Sequence, residues 1–232
     1  MFIGVDGCRG GWLLAVLDSE GTLRFELTEA LEEVVAQARA GSATVVVDMP
    51  IGLPAGGRRA CDIQARQLLG PRRASSVFPA PGRPALAALD DYARASRLNA
   101  TALGTKLTRQ TFAILPKIAA LDALITPDVQ RAMREGHPEV IFRVLARQPL
   151  GAGKRDPHGL AERVELLRGV GLEVDVERER ARLGRARVAP DDVVDAAACA
   201  VAARRVAQGE ALVFPLASSE VDERGLRMEI VA

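Results

Sequence analysis

Residues 44–54, TVVVDMPIGLP, decide the fold. Four β-branched residues in succession read as a strand buried on both faces, hence central in a sheet and parallel to a neighbour. The run stops on Asp48 and passes into a Pro- and Gly-marked turn. A second run of this kind, MFIGV at 1–5, stops on Asp6 and the turn GCRGG. Outward from these, WLLAVL at 12–17 and the alternating TLRFEL at 22–27 read as strands joined by tight turns, an antiparallel meander. Thr28 is expected to cap a helix that carries Leu31, Val34, Val35 and Ala38 on its apolar face and ends at Gly41. The order is therefore β-β-β-α-β, and both central strands finish on an aspartate. Sites in open α/β sheets lie at such carboxyl ends, which sets Asp6 beside Asp48 if the two strands are neighbours.

The rest of the chain extends this frame. Residues 55–134 read as helices at about 58–69, 84–97, 107–114 and 116–124, with another after Pro127 and no clear strand. The apolar run EVIFRVLA at 139–146 is expected to be the fifth strand. Helices follow at 158–169 and 173–187, and Pro190-Asp191-Asp192 opens a long apolar helix that ends at Gly209. The tail is short and extended at 212–216 and 226–231. The expected fold is α/β, a mixed five-stranded sheet flanked by helices. It forms one domain over 1–232 with a mainly helical, basic insertion over 55–134.

The chain is 48% hydrophobic and 26% charged, ordinary for a globular protein with a sizeable core. It lacks an apolar run of membrane-spanning length and a basic-then-apolar leader, so a cytoplasmic location without membrane partners is expected. Cys8, Cys61 and Cys199 form no CxxC pair, which argues for reduced thiols over a disulfide framework or a zinc cluster. The net charge of +1 conceals an asymmetry. Residues 52–134 hold 13 Lys and Arg against 5 Asp and no Glu, a charge of +8, and the remainder carries −7. Such a basic stretch points to a polyanion, against the plainer alternative of a solvated Arg-rich helical surface.

The carboxylates are the candidates for chemistry. Asp48, directly after four buried strand residues, would be costly to desolvate without a cation or donors. Asp192 and Asp195 lie three apart on one helix face. The helix dipole explains acids in the first turn but explains Asp195, flanked by Val and Ala, poorly. Glu139 and Glu135 flank His137, which could assist proton transfer. In the basic segment Arg58, Arg66, Arg73 and Lys117 are candidate phosphate contacts, and Ser75 and Ser76 sit in a Pro-flanked loop that could line the site. Aromatics are only 3% of the chain, so base stacking is not the theme.

Seven ordered segments carry a resemblance: GVDGCRGGW (4–12), DMPIGLP (48–54), CDIQAR (61–66), SSVFPAP (75–81), QTFAILPKI (110–118), EGHPEVIF (135–142) and DDVVDA (191–196). Together they resemble the bacterial and archaeal family of unknown function number 429, described as a predicted nuclease with an RNase H-like fold. The resemblance implies an RNase H-like sheet and a metal-dependent nuclease acting on nucleic acid. Asp6 and Asp48 would be ligands of Mg²⁺ or Mn²⁺, with Asp192 or else Asp195 as the third, and Glu139 and the other of that pair further catalytic carboxylates. Arg58, Arg66, Arg73, Ser75, Ser76, Lys117 and His137 would be substrate contacts. In the family's basic loop a Thr follows the basic residues, whereas this chain reads Lys154-Arg155-Asp156-Pro157, and Lys154 receives no role. Two other classes stay open: an actin- or hexokinase-like ATP-dependent phosphotransferase using the Gly7–Gly11 turn, and a catalytically inactive nucleic-acid binder. Oligomeric state is not fixed by the sequence, and a homodimer remains open.

Overall fold

A computed structural model describes residues 1–217 and 220–232. The chain starts with β1 (Phe2–Cys8), β2 (Gly11–Leu17), β3 (Leu23–Thr28), α1 (Glu32–Arg39) and β4 (Thr44–Val47). It continues through α2 (Ala60–Leu69), α3 (Tyr92–Leu103), α4 (Arg109–Ala113) and α5 (Leu115–Leu124), then β5 (Met133–Glu135). Four helices follow: α6 (Pro138–Ala146), α7 (Pro157–Gly169), α8 (Val176–Leu183) and α9 (Pro190–Gln208). β6 (Val213–Phe214) and β7 (Ile230–Val231) are two-residue strands of the tail. These elements form two compact units. The first comprises residues 1–48, 132–212 and 231–232, and the second 49–131 and 213–230. Among the described residues, no helix is long and apolar enough to cross a membrane.

The first unit is a mixed α/β fold around a five-stranded sheet of order β3-β2-β1-β4-β5. β1 to β3 run antiparallel, and β4 and β5 run parallel to β1. Val45, Val46 and Val47 are fully buried, as a central strand requires. β1 and β4 are paired with Gly4 opposite Val46 and Val5 opposite Val47, and the amide of Asp48 donates to the carbonyl of Val5 at 2.8 Å. Side chains alternate faces along a strand, so Gly4 and Asp6 share a face with Val46 and Asp48. That face receives α9. A β-carbon on Gly4 would lie 2.0 Å from the carbonyl of Ala196 and 2.2 Å from the amide of Ala200, so glycine alone permits this backbone contact. The Ala and Val positions from Val193 to Ala203 of α9 are buried all round.

Four expectations are corrected here. The run 139–146 is helix α6, not the fifth strand. An apolar run of eight cannot be told apart by periodicity alone, and the flanking residues decide it. Pro138 sits in the first turn, Glu139 follows where the dipole favours an acid, and His137 is extended, as a residue before proline must be. The fifth strand is Met133–Glu135, pairing Met133 with Val45 and Glu135 with Val47. Its polar sequence hid it. Thr28 ends β3 rather than capping α1, and its hydroxyl bonds the carbonyl of Ala30 at 2.9 Å. The helix expected at 84–97 is a 3-10 turn at Arg83–Ala87 followed by α3, which Asp91 caps at the amide of Arg94. The helix expected at 173–187 is the shorter α8.

The second unit holds helices α2 to α5, and a small core of Ala88, Ala95, Leu107 and Leu115 joins α3 to α5. Arg59 is buried and clamps its entry. It donates to the carbonyls of Ile51 at 3.2 Å and Gly52 at 3.3 Å, and pairs with Asp62 at 2.5 Å. Gly52 itself has φ +77° and lies against Met228, so the turn after Pro50 admits no side chain there.

Candidate functional site

The site grows from the close approach of α9 to β1. Because Gly4 lets the helix lie on the strand, Asp195, one residue before Ala196, comes down beside Asp6. Parallel pairing puts Asp48 next to Asp6 on the same face. Asp6 and Asp195 are buried, whereas Asp48 keeps partial exposure. Burial, then the neighbouring Asp48 and Asp195 carboxylates, push the Asp6 carboxyl well above the usual carboxylate range. The Asp48 carboxyl is raised by burial, opposed by His137 and Lys154, and accepts a hydrogen bond from the Asp6 carboxyl. Asp6 and Asp48 therefore share one proton. Burial raises Asp195 to about 7, against the pull of Lys154.

Lys154 is the residue that the sequence left without a role. Its ammonium pairs with Asp195 and lies 3.7 Å from Asp191. Burial would lower its pKa, but Asp195, Asp6 and Asp48 together hold it above the ordinary lysine value. A signal for it exists in the composition. Of 31 basic residues only Lys106, Lys117 and Lys154 are lysine, so a lysine at this loop stands out in a chain that otherwise uses arginine.

The remaining carboxylates have partners of another kind. Asp192 turns back to its own helix start and accepts from the amide of Ala189 at 2.7 Å. This bond occupies one of its oxygens, and Asp195 acts on Asp6 more strongly than Asp192 does. Glu139 pairs at 2.6 Å with Arg163, a guanidinium with no exposure. Arg163 also donates to the carbonyls of Gly159 at 2.6 Å and Ala152 at 3.3 Å, which ties the base of the Lys154 loop to α6 and α7. Glu139 thus supports a loop from within the protein rather than presenting a free carboxylate. His137 precedes α6, half-buried, within electrostatic reach of Asp48.

The candidate substrate contacts Arg58, Arg66, Arg73, Ser75, Ser76 and Lys117 all belong to the second unit. Arg58 and Ser75 are exposed there, whereas Arg73, Ser76 and Lys117 are half-buried. Arg66 donates to the carbonyl of Val77 at 2.6 Å and so holds the Pro-flanked loop. All three cysteines are free and buried. Burial, then Asp48 and Asp6, push the Cys199 thiol up, which keeps it protonated beside the cluster.

Among the described residues, no three His, Cys, Asp or Glu side chains stand together as a ready metal site. The donor chemistry nevertheless fits a hard divalent ion. Oδ1 of Asp195 is buried without a hydrogen-bond partner, and Asp6 and Asp48 are joined through a proton that a cation could replace. Ionised, the three carboxylates carry more negative charge than the one ammonium neutralises. Oxygen-only donors suit Mg²⁺ or Mn²⁺ rather than zinc.

Fold and site together define an α/β protein with a buried carboxylate cluster at the carboxyl edge of its sheet. Over residues 4–220 the chain matches the model of a family described as "Protein of unknown function (DUF429)", and it belongs to that family. No curated protein and no solved structure matches it.

Proposed function

We propose that this protein is a metal-dependent nuclease of the RNase H-like fold, cleaving phosphodiester bonds of nucleic acid in the cytoplasm. The observation that carries this reading is the convergence of Asp6, Asp48 and Asp195 with a surplus of negative charge that one Lys does not neutralise. The strand order β3-β2-β1-β4-β5, with β4 and β5 parallel to β1, supports the fold assignment. Asp6, Asp48 and Asp195 would hold Mg²⁺ or Mn²⁺. Such an ion, when bound, lowers the pKa of a water and screens the charge of the phosphate. Asp48, the most exposed of the three, would take the proton of the attacking water. The water oxygen would add to phosphorus as the bond to the leaving sugar oxygen breaks, and the proton taken by Asp48 would pass to that oxygen through solvent. The basic residues of the second unit supply contacts to a phosphate backbone, independent of base identity.

The glycines of the Gly7–Gly11 turn are accounted for without a phosphate. Gly11 has φ +119°, and a β-carbon there would lie 2.3 Å from the carbonyl of Thr28. The amide of Gly10 donates to Arg187 at 2.9 Å. No observation therefore favours the phosphotransferase alternative. The test is incubation of single- and double-stranded DNA and RNA with the protein and Mn²⁺ or Mg²⁺. Cleavage that disappears in Asp6→Asn and with chelator is expected. Cleavage that survives both would sink the assignment.

A further inference from the structure

We propose that the Lys154 ammonium is a tethered cation that occupies the place of a divalent ion among Asp6, Asp48 and Asp195, so that metal binding displaces it. This rests on the reading of the cluster as a metal site. Four observations support it. Lys154 pairs with one oxygen of Asp195, and the other oxygen of that carboxylate has no hydrogen-bond partner. One ammonium thus leaves the cluster incompletely satisfied.

The lysine also has a way out. Its side chain is 35% exposed while that of Asp195 is 1% exposed. Asp191, 3.7 Å from the ammonium, offers a second carboxylate beside the first. The loop that carries it is held at its base. Arg163 binds the carbonyl of Ala152, and the amide of Gly151 donates to Glu162. Gly159 lets the carbonyl of Gly153 approach to where a β-carbon would lie at 2.1 Å. Finally, the residue type fits. An ammonium is a compact point charge with a flexible stem, able to imitate a small ion and to withdraw, whereas a guanidinium is a planar fork of five donors.

The experiment is a calorimetric titration of Mn²⁺ alone into chelator-treated full chain, wild type against Lys154→Met, which keeps the stem and removes the charge. Without the competing ammonium, Mn²⁺ is expected to bind Lys154→Met about tenfold tighter or more. Equal or weaker binding by Lys154→Met, with the wild type binding normally, would overturn the competition and leave the metal site standing. Absence of Mn²⁺ uptake by both would overturn the metal site and the competition together. A second measurement needs no variant. Acylation of Lys154 by an amine-reactive reagent, read by mass spectrometry with Lys106 and Lys117 as references, is expected to quicken when Mn²⁺ is added. An unchanged rate would overturn the displacement.

Discussion

Two charged clusters in the first unit differ in one respect. At Glu139 and Arg163 one buried carboxylate meets one buried guanidinium, which also satisfies two backbone carbonyls. At Asp6, Asp48 and Asp195 three carboxylates meet one ammonium. The balanced pair holds the fold, its two charges matched one to one, so that removing either would leave the other buried and uncompensated. The unbalanced cluster keeps protons on acids at pH values where exposed acids have lost them. Charge balance, rather than burial or acidity alone, separates a structural carboxylate from a functional one here.

The comparison breaks first at Arg163. Arg163→Met leaves Glu139 buried without its partner, and chemical denaturation is expected to show a loss of about 3–5 kcal/mol. A near-neutral result would mean that the pair is not what fixes the Lys154 loop. The opposite behaviour is expected at the other cluster. Asp6→Asn relieves repulsion, so its stability without metal should equal or exceed the wild type. Its Mn²⁺-dependent cleavage, followed on a labelled oligonucleotide, should fall by on the order of a hundredfold or more.

A pH series sharpens the contrast. Asp195 titrates near 7 in the folded chain and near 4 when unfolded, so between these values the native state holds a proton that the unfolded state has released. Stability without metal therefore falls as pH rises from about 4 to about 7, by about 4 kcal/mol, and the fall stops above that window. Urea midpoints across this range should show a shallower slope for Asp195→Asn than for the wild type. The smallest effect belongs to Asp192. Asp192→Ala removes the bond to the amide of Ala189 and should cost about 1 kcal/mol of stability. Mn²⁺ affinity by calorimetry should be nearly unchanged, and a large loss would return Asp192 to the metal set.

The strands 1–5, 12–17, 22–27 and 44–47 were legible because each is long, apolar or alternating, and bounded by turn residues. The buried helix from Pro190 was legible from its proline start and its unbroken Ala and Val run. The fifth strand was not. Met133–Glu135 is three residues long, and two of them are charged. It is a strand only because β4 offers it an edge, while the apolar run after it turns helical at Pro138. Lys154 has no role in the sequence because its loop departs from the Thr that follows the family's basic residues, although its rarity among the basic residues marks it out.

The chain's own order of residues determined that Asp6 and Asp48 stand at the carboxyl ends of two central strands, since strand period and turn chemistry are local. It also determined that Asp195 lies within an apolar helix. Only the tertiary structure decided which carboxylates meet. Gly4 admits α9 onto β1 and brings Asp195 to Asp6, while Asp192, three residues earlier, bonds its own helix start and Glu139 is taken by Arg163. Whether a buried acid is neutralised or left in excess depends on partners distant in sequence, and charge acts through space rather than along the chain.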